Sequence, residues 1–136
     1  MPRAKSKPMP AVMEKMLDEA SWLLSHAQAL ADYGRPDEAA AELVRAATCE
    51  EEVACLLEAD GQELEAAIHR VSAASCYQKL GHFARAVTLL HAALSAPLRE
   101  DYRARVEQQL KHCLAANHKE LRRGSRRQRK PAATAP

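Results

Sequence analysis

Residues 73–94 run Ala73-Ala74-Ser75-Cys76-Tyr77-Gln78-Lys79-Leu80-Gly81-His82-Phe83-Ala84-Arg85-Ala86-Val87-Thr88-Leu89-Leu90-His91-Ala92-Ala93-Leu94. This stretch reads as two short helices folded back on each other. Gly81 supplies the left-handed conformation that ends one helix, and Phe83 begins the next. Ala74, Ala86 and Ala93 allow close backbone approach, while Tyr77, Phe83 and Leu90 supply bulk between the two helices.

The same order of small and large residues occurs earlier in the chain. Ala27, Leu30, Gly34, Ala39, Leu43 and Ala46 precede Ala74, Tyr77, Gly81, Ala86, Leu90 and Ala93 by a constant 47 residues. This grammar resembles a tetratricopeptide repeat. Two features depart from the family pattern. Pro36 stands where the later unit has Phe83, and the offset is longer than the family period of about 34 residues. The resemblance covers roughly residues 12–97 and implies a fold of antiparallel helical hairpins, stacked as a short array of two divergent units with a C-terminal capping helix.

Composition agrees with an all-α chain. Alanine, leucine, glutamate, arginine and glutamine dominate, and all of them enter helices at little entropic cost. The aromatic residues are few: Trp22, Tyr33, Tyr77, Phe83 and Tyr102. No stretch approaches the ~18 consecutive apolar residues of a membrane span, so no membrane partner is expected. The N-terminal Pro2-Arg3-Ala4-Lys5-Ser6-Lys7-Pro8 leads into Glu14, Lys15, Asp18 and Glu19 rather than an apolar core, unlike a secretory signal. A cytoplasmic location is the expectation. Charge is uneven: residues 1–10 carry three basic groups and no acid, and residues 119–130 carry seven basic groups and Glu120. Taken from the formal +2, these arms leave residues 11–118 at −7.

The expected organisation is a disordered basic arm over 1–10, a helical domain over 11–121 and a disordered Arg-rich tail over 122–136. Within the domain, a first helix is expected from Ala11 to Asp32, its apolar stripe formed by Val12, Met16, Ala20, Leu23, Ala27 and Leu30. A second begins at Pro36, with Ala39, Leu43, Ala46, Val53 and Leu57 inward, and ends before Gly61. The spacing leaves open whether it is continuous to Glu58. A third runs from Gln62 to Leu80 through Leu64, Ile68, Val71 and Tyr77, and Gly81 turns the chain into a fourth that ends near Ser95. A fifth, from Leu98 to about Leu121, carries Tyr102, Val106, Leu110, Leu114 and Leu121 on one stripe and turns Arg99, Arg103, Arg105, Glu107 and Lys111 to solvent.

Nothing in the sequence assembles a catalytic constellation, a cofactor site or a metal site. Cys49, Cys55, Cys76 and Cys113 form no Cys-x-x-Cys pair, and in alanine-rich helices a thiol behaves as a small apolar residue. Glu65 precedes His69 by four residues, not by the three of a di-iron Glu-x-x-His motif. The run Glu50-Glu51-Glu52, with Glu58, Asp60, Glu63 and Glu65, reads as a solvated acidic face or a dock for a basic segment.

A non-catalytic protein–protein interaction adaptor, or scaffold, is therefore the expected function. The resemblance implies that a partner protein or peptide lies in a groove formed by the first helix of each unit. The matching positions are Ser21, Leu24, Gln28, Ala31 and Asp32, then Ile68, Ser75, Gln78 and Lys79. Trp22 is either an interface anchor or part of the first hairpin's packing. A two-unit array is short, so self-association into a homo-oligomer is compatible with it. The alternative function rests on the tail: Arg122, Arg123, Arg126, Arg127, Arg129 and Lys130 would bind nucleic acid non-specifically through its phosphates, or else only solubilise the chain.

Overall fold

The computed structural model describes residues 10–129, with side chains to Arg127. The expected N-terminal arm over 1–9 and the tail over 130–136, with Lys130, lie outside the described residues. Five helices form: α1 (Ala11–Asp32), α2 (Pro36–Ala59), α3 (Glu63–Lys79), α4 (Phe83–Leu94) and α5 (Glu100–Arg129). Described residues contain no strand, so the fold is all-α. The second helix is continuous over its 24 residues.

Three of the four connections are the same turn built three times. At Gly34, Gly61 and Gly81 the backbone takes φ of 75°, 77° and 76°. The residue after each glycine donates its backbone N–H to a carbonyl five residues back: Arg35 to Leu30, Gln62 to Leu57 and His82 to Tyr77, at 2.9, 2.9 and 2.8 Å. Each glycine N–H bonds three residues back, to Ala31, Glu58 and Gln78. This paired pattern is the Schellman motif, which satisfies the last carbonyls of a helix and needs a left-handed residue that only glycine adopts without penalty. The carbonyl acceptors Leu30, Leu57 and Tyr77 are all buried. The next helix starts directly afterwards, and its fourth residue is a buried alanine each time, Ala39, Ala66 and Ala86. A connection of three residues turns the chain sharply back, and the helices lie antiparallel. The ion pair Arg45–Glu19 and the contact His26–Glu42 confirm this for α1 and α2, since residues later in α2 meet residues earlier in α1.

Each helix packs on its neighbour in sequence, α1 on α2, α2 on α3, α3 on α4 and α4 on α5. The contacts are made largely of alanine. Ala20, Ala46, Ala47, Ala66, Ala67, Ala73, Ala74, Ala86 and Ala93 have no exposed surface. Alanine lets helix axes approach closely, because interaxial distance follows the size of the side chains between them. Leu23, Leu90, Val53 and Val106 fill the spaces that remain.

This core corrects several expected stripes. Leu64 and Ile68 are exposed, because α3 buries Ala66, Ala67, Ala73 and Ala74 against its neighbours and turns the larger side chains outward. Met13, not Val12, enters the core at the start of α1. On α5, Val106, Leu110 and Cys113 are buried, whereas Leu114 and Leu121 are exposed because no further helix among the described residues packs on that end. Arg103 does not face solvent. Its guanidinium donates to the carbonyls of Leu94 and Ala96 at 2.9 and 2.8 Å, capping the C-terminus of α4 with positive charge. The expected disordered tail also differs within the described residues. The segment 122–129 continues α5 as helix, since arginine and glutamine favour it and only Gly124 and Ser125 interrupt them.

Polar side chains tie the stack together inside and at its edges. The acidic run is not one face. Glu50 is buried and bonded to His69 Nδ1 at 2.6 Å, joining α2 to α3. Glu51 accepts from the Tyr77 hydroxyl at 2.7 Å and from Arg85 at 2.9 Å, joining α2 to both α3 and α4. The Arg85 guanidinium also lies over the Tyr77 ring at 5.1 Å. Burial, then the bond to Glu51, holds the Tyr77 hydroxyl protonated above its usual range.

Two predictions follow the geometry. Gly81→Ala forces an L-residue into the left-handed region and should lower unfolding stability by about 1–2 kcal/mol, read as the urea midpoint. Gly124→Ala, mid-helix and with open space around it, should instead leave that midpoint unchanged and raise the helical circular dichroism signal. Separately, His69→Ala strands a buried carboxyl group and should cost about 1–3 kcal/mol. His26→Ala should cost less, because the His26 side chain is 42% exposed and water replaces it on Glu42.

Candidate partner groove

The nine expected groove positions separate into four settings. Leu24, Gln28 and Lys79 come together. With Ala27 and Ala31 of α1, Pro36, Ala39, Ala40 and Leu43 of α2, and Leu80 after α3, they line a hollow of about 340 Å³. Its floor is apolar, since Ala27 and Ala39 belong to a core cluster against which Leu43 packs. Its rim carries one amide and one cation. Asp32 orients the amide: Gln28 Nε2 donates to Asp32 Oδ1 at 3.0 Å across one turn of α1. Lys79 and Leu80 reach the groove because the helix ends there, at the Gly81 turn.

Ser75 and Gln78 lie under α5 instead. Gln109 Nε2 donates to Ser75 Oγ at 3.1 Å and to Gln78 Oε1 at 3.0 Å. The C-terminal helix thus occupies the half of the surface that α3 would have offered. Ile68 belongs to a third place, a hollow of about 300 Å³ with Leu64, Arg99, Asp101, Tyr102 and Arg105 between α3 and α5. Ser21 is exposed on α1, outside both hollows. Trp22 is not buried in the first hairpin. It is 58% exposed and stacks on the His26 ring at 4.7 Å.

Sequence reasoning missed a wider hollow, about 630 Å³, lined by Met16 of α1, Thr48, Glu51, Glu52, Cys55 and Leu56 of α2, and Arg85 of α4. The signal was present in Glu51, Glu52, Cys55 and Leu56, whose spacing sets them on one outward face of α2. The Glu51 and Arg85 groups in its wall are already bound to each other. That leaves Cys55 as the exposed thiol in the hollow.

The other thiols are held in the proton-bearing form. Burial, with the nearby Glu50 charge second, pushes the Cys76 thiol up to about 11. Burial raises Cys113 as well, and Cys49 rises through burial and then the charge of Glu19. Thiolate is the nucleophile and metal ligand, so these three positions are poor at both roles. Among the described residues, no three side chains of His, Cys, Asp or Glu gather as a metal ion requires. No helix among them is long and apolar enough to cross a membrane.

Comparison with protein-family models, with curated proteins and with solved structures finds no match to this chain.

A thiol titration checks this arrangement. With an aromatic disulfide reagent at pH 8, Cys55 should react first and Cys49 more slowly. Cys76 and Cys113 should stay unreactive until denaturant is added. A Cys55→Ser variant should lose the fast phase alone.

Proposed function

We propose that the chain is a non-catalytic protein-interaction adaptor, a short tetratricopeptide-type array whose binding surface is the groove between α1, α2 and the end of α3. The observation that carries this reading is the groove itself. It is open and apolar-floored, and its polar contributors, Gln28 and Lys79, come from two helices far apart in sequence. Binding sites are concave and mostly apolar, with a few polar groups that fix orientation.

The chemistry of the groove indicates the kind of segment it takes. Small side chains, Ala27, Ala31, Ala39 and Ala40, leave room for a partner's apolar side chains. Lys79 pairs with a partner carboxylate, and Gln28, held by Asp32, is set to bond a peptide backbone. One cation is too few to clamp a free chain terminus on several charges at once, so an internal peptide segment with one acidic residue fits better. Because α5 covers Ser75 and Gln78, the site is confined to the N-terminal half of the stack. The short array agrees with the alanine contacts: each hairpin buries its small-residue face on the next, as repeat units do.

The test uses variants that fill or recharge the groove without entering the core. Ala31 is exposed within it, so Ala31→Arg combined with Lys79→Glu should preserve the thermal transition. Affinity capture from lysate of the source cell, quantified by mass spectrometry, should yield proteins whose recovery falls at least tenfold with that double variant. A direct binding measurement on peptides from those proteins should show the same loss. Recovery independent of the double variant would remove the groove as the functional surface.

A further inference from the structure

We propose that the C-terminal part of α5 is a binding site for the phosphate backbone of a nucleic acid duplex, and that it binds as a preformed helix. This inference is independent of the groove reading and uses none of its residues.

Beyond Asn117, α5 leaves the body of the stack, and every side chain described from His118 to Arg127 is exposed. Lys119, Arg122, Arg123, Arg126 and Arg127 recur at spacings of three and four along this segment. At 100° per residue they fall within an arc of about 140°, and they rise along the axis over about 12 Å. Leu121, Gly124 and Ser125 lie on the opposite side, with His118 and Glu120 at the two edges of the arc. One acid is close by: Glu120 lies 3.6 Å from Arg123. The other four cations have no acidic partner among the described residues. The result is a straight cationic ridge, not a diffuse charge.

What occupies such a ridge follows from what it lacks. Protein interfaces draw most of their affinity from desolvated aromatic or large apolar anchors, and this segment offers Leu121 alone. An interfacial membrane helix needs a continuous apolar face, but here that side is Leu121, Gly124 and Ser125. Charge must therefore supply the affinity, as it does when a protein replaces counterions along a duplex. The residue type agrees. Four of the five cations are arginine, whose planar fork matches phosphate oxygens in pairs. A helix of about 10–12 Å diameter also fits a major groove about 12 Å wide. The body, formally −7 over residues 11–118, is repelled by the same polyanion, so contact stays on the projecting ridge.

The experiment measures anisotropy of a fluorescein-labelled 20-base-pair DNA duplex titrated with the full chain at 50–200 mM sodium chloride. Saturable binding is expected, with log K falling against log salt at a slope of about −4, for four to five phosphates. Replacing Arg122, Arg123, Arg126 and Arg127 together by Gln should weaken binding at least tenfold while leaving the thermal transition in place. Gly124→Pro keeps every charge but breaks the helix, and should weaken binding at least threefold, whereas Gly124→Ala should not weaken it. No saturable binding at 50 mM salt, an affinity untouched by the Gln substitutions, or a slope near zero would overturn the site. An unaffected Gly124→Pro variant would overturn the preformed helix. Tighter binding to vesicles containing 30% phosphatidylserine than to the duplex would overturn nucleic acid as the ligand.

Discussion

The left-handed glycine turn is the constraint from which the rest of the architecture descends. It closes α1, α2 and α3 in the same way and leaves one residue before the next helix begins. Such a tight reversal brings the end of one helix and the start of the next within reach of each other. The side chains there must be small on one side, as Ala39, Ala66 and Ala86 are, and space-filling on the other, as Leu30, Leu57 and Tyr77 are. Close helix axes then demand alanine along the rest of each contact, and the core supplies it. The link from α4 to α5 has no such glycine and uses a different device, with Arg103 of the following helix holding the last carbonyl of α4, Leu94, and that of Ala96 in the link.

Polar groups complete what the alanines begin. Alanine buries little apolar area per residue, so the hydrophobic gain per contact is modest at about 25 cal/mol per Å². Buried and half-buried hydrogen bonds add directionality that methyl groups lack. Glu50 fixes the rotation of α3 against α2 through His69, and Glu51 holds α3 through Tyr77 and α4 through Arg85. Adjacent residues on one helix thus specify two different neighbours.

The sequence made the helices and their ends legible because glycine, proline and helix-forming residues act locally. The boundaries of α1 and the start of α2 emerge where expected, and so does the relation between Gly34 and Gly81. Gly61 belongs to the same set, but at spacings of 27 and 20 residues from the others it is invisible to a search at one fixed offset. Which face turns inward was less legible, above all on α3. Hydropathy favours Leu64 and Ile68, while the geometry of close packing selects Ala66, Ala67, Ala73 and Ala74. Of the residues that line the hollow, Leu24, Gln28 and Lys79 are among the positions that the tetratricopeptide resemblance implied. The covering of Ser75 and Gln78 depends on where α5 docks, which no local pattern encodes.

The unbroken course of α5 has a mechanical consequence. Its 30 residues make a rod of about 45 Å, rooted in the core by Val106, Leu110 and Cys113 and clamped near its base by Arg103. A rod rooted in this way is a lever of set length and bearing, where a coil would be a tether. Anything held at its tip stands at a fixed distance and angle from anything held by the body. Joint engagement of two partners, or of two points on one, then succeeds only for targets whose own spacing matches the rod, and mismatched targets gain no avidity.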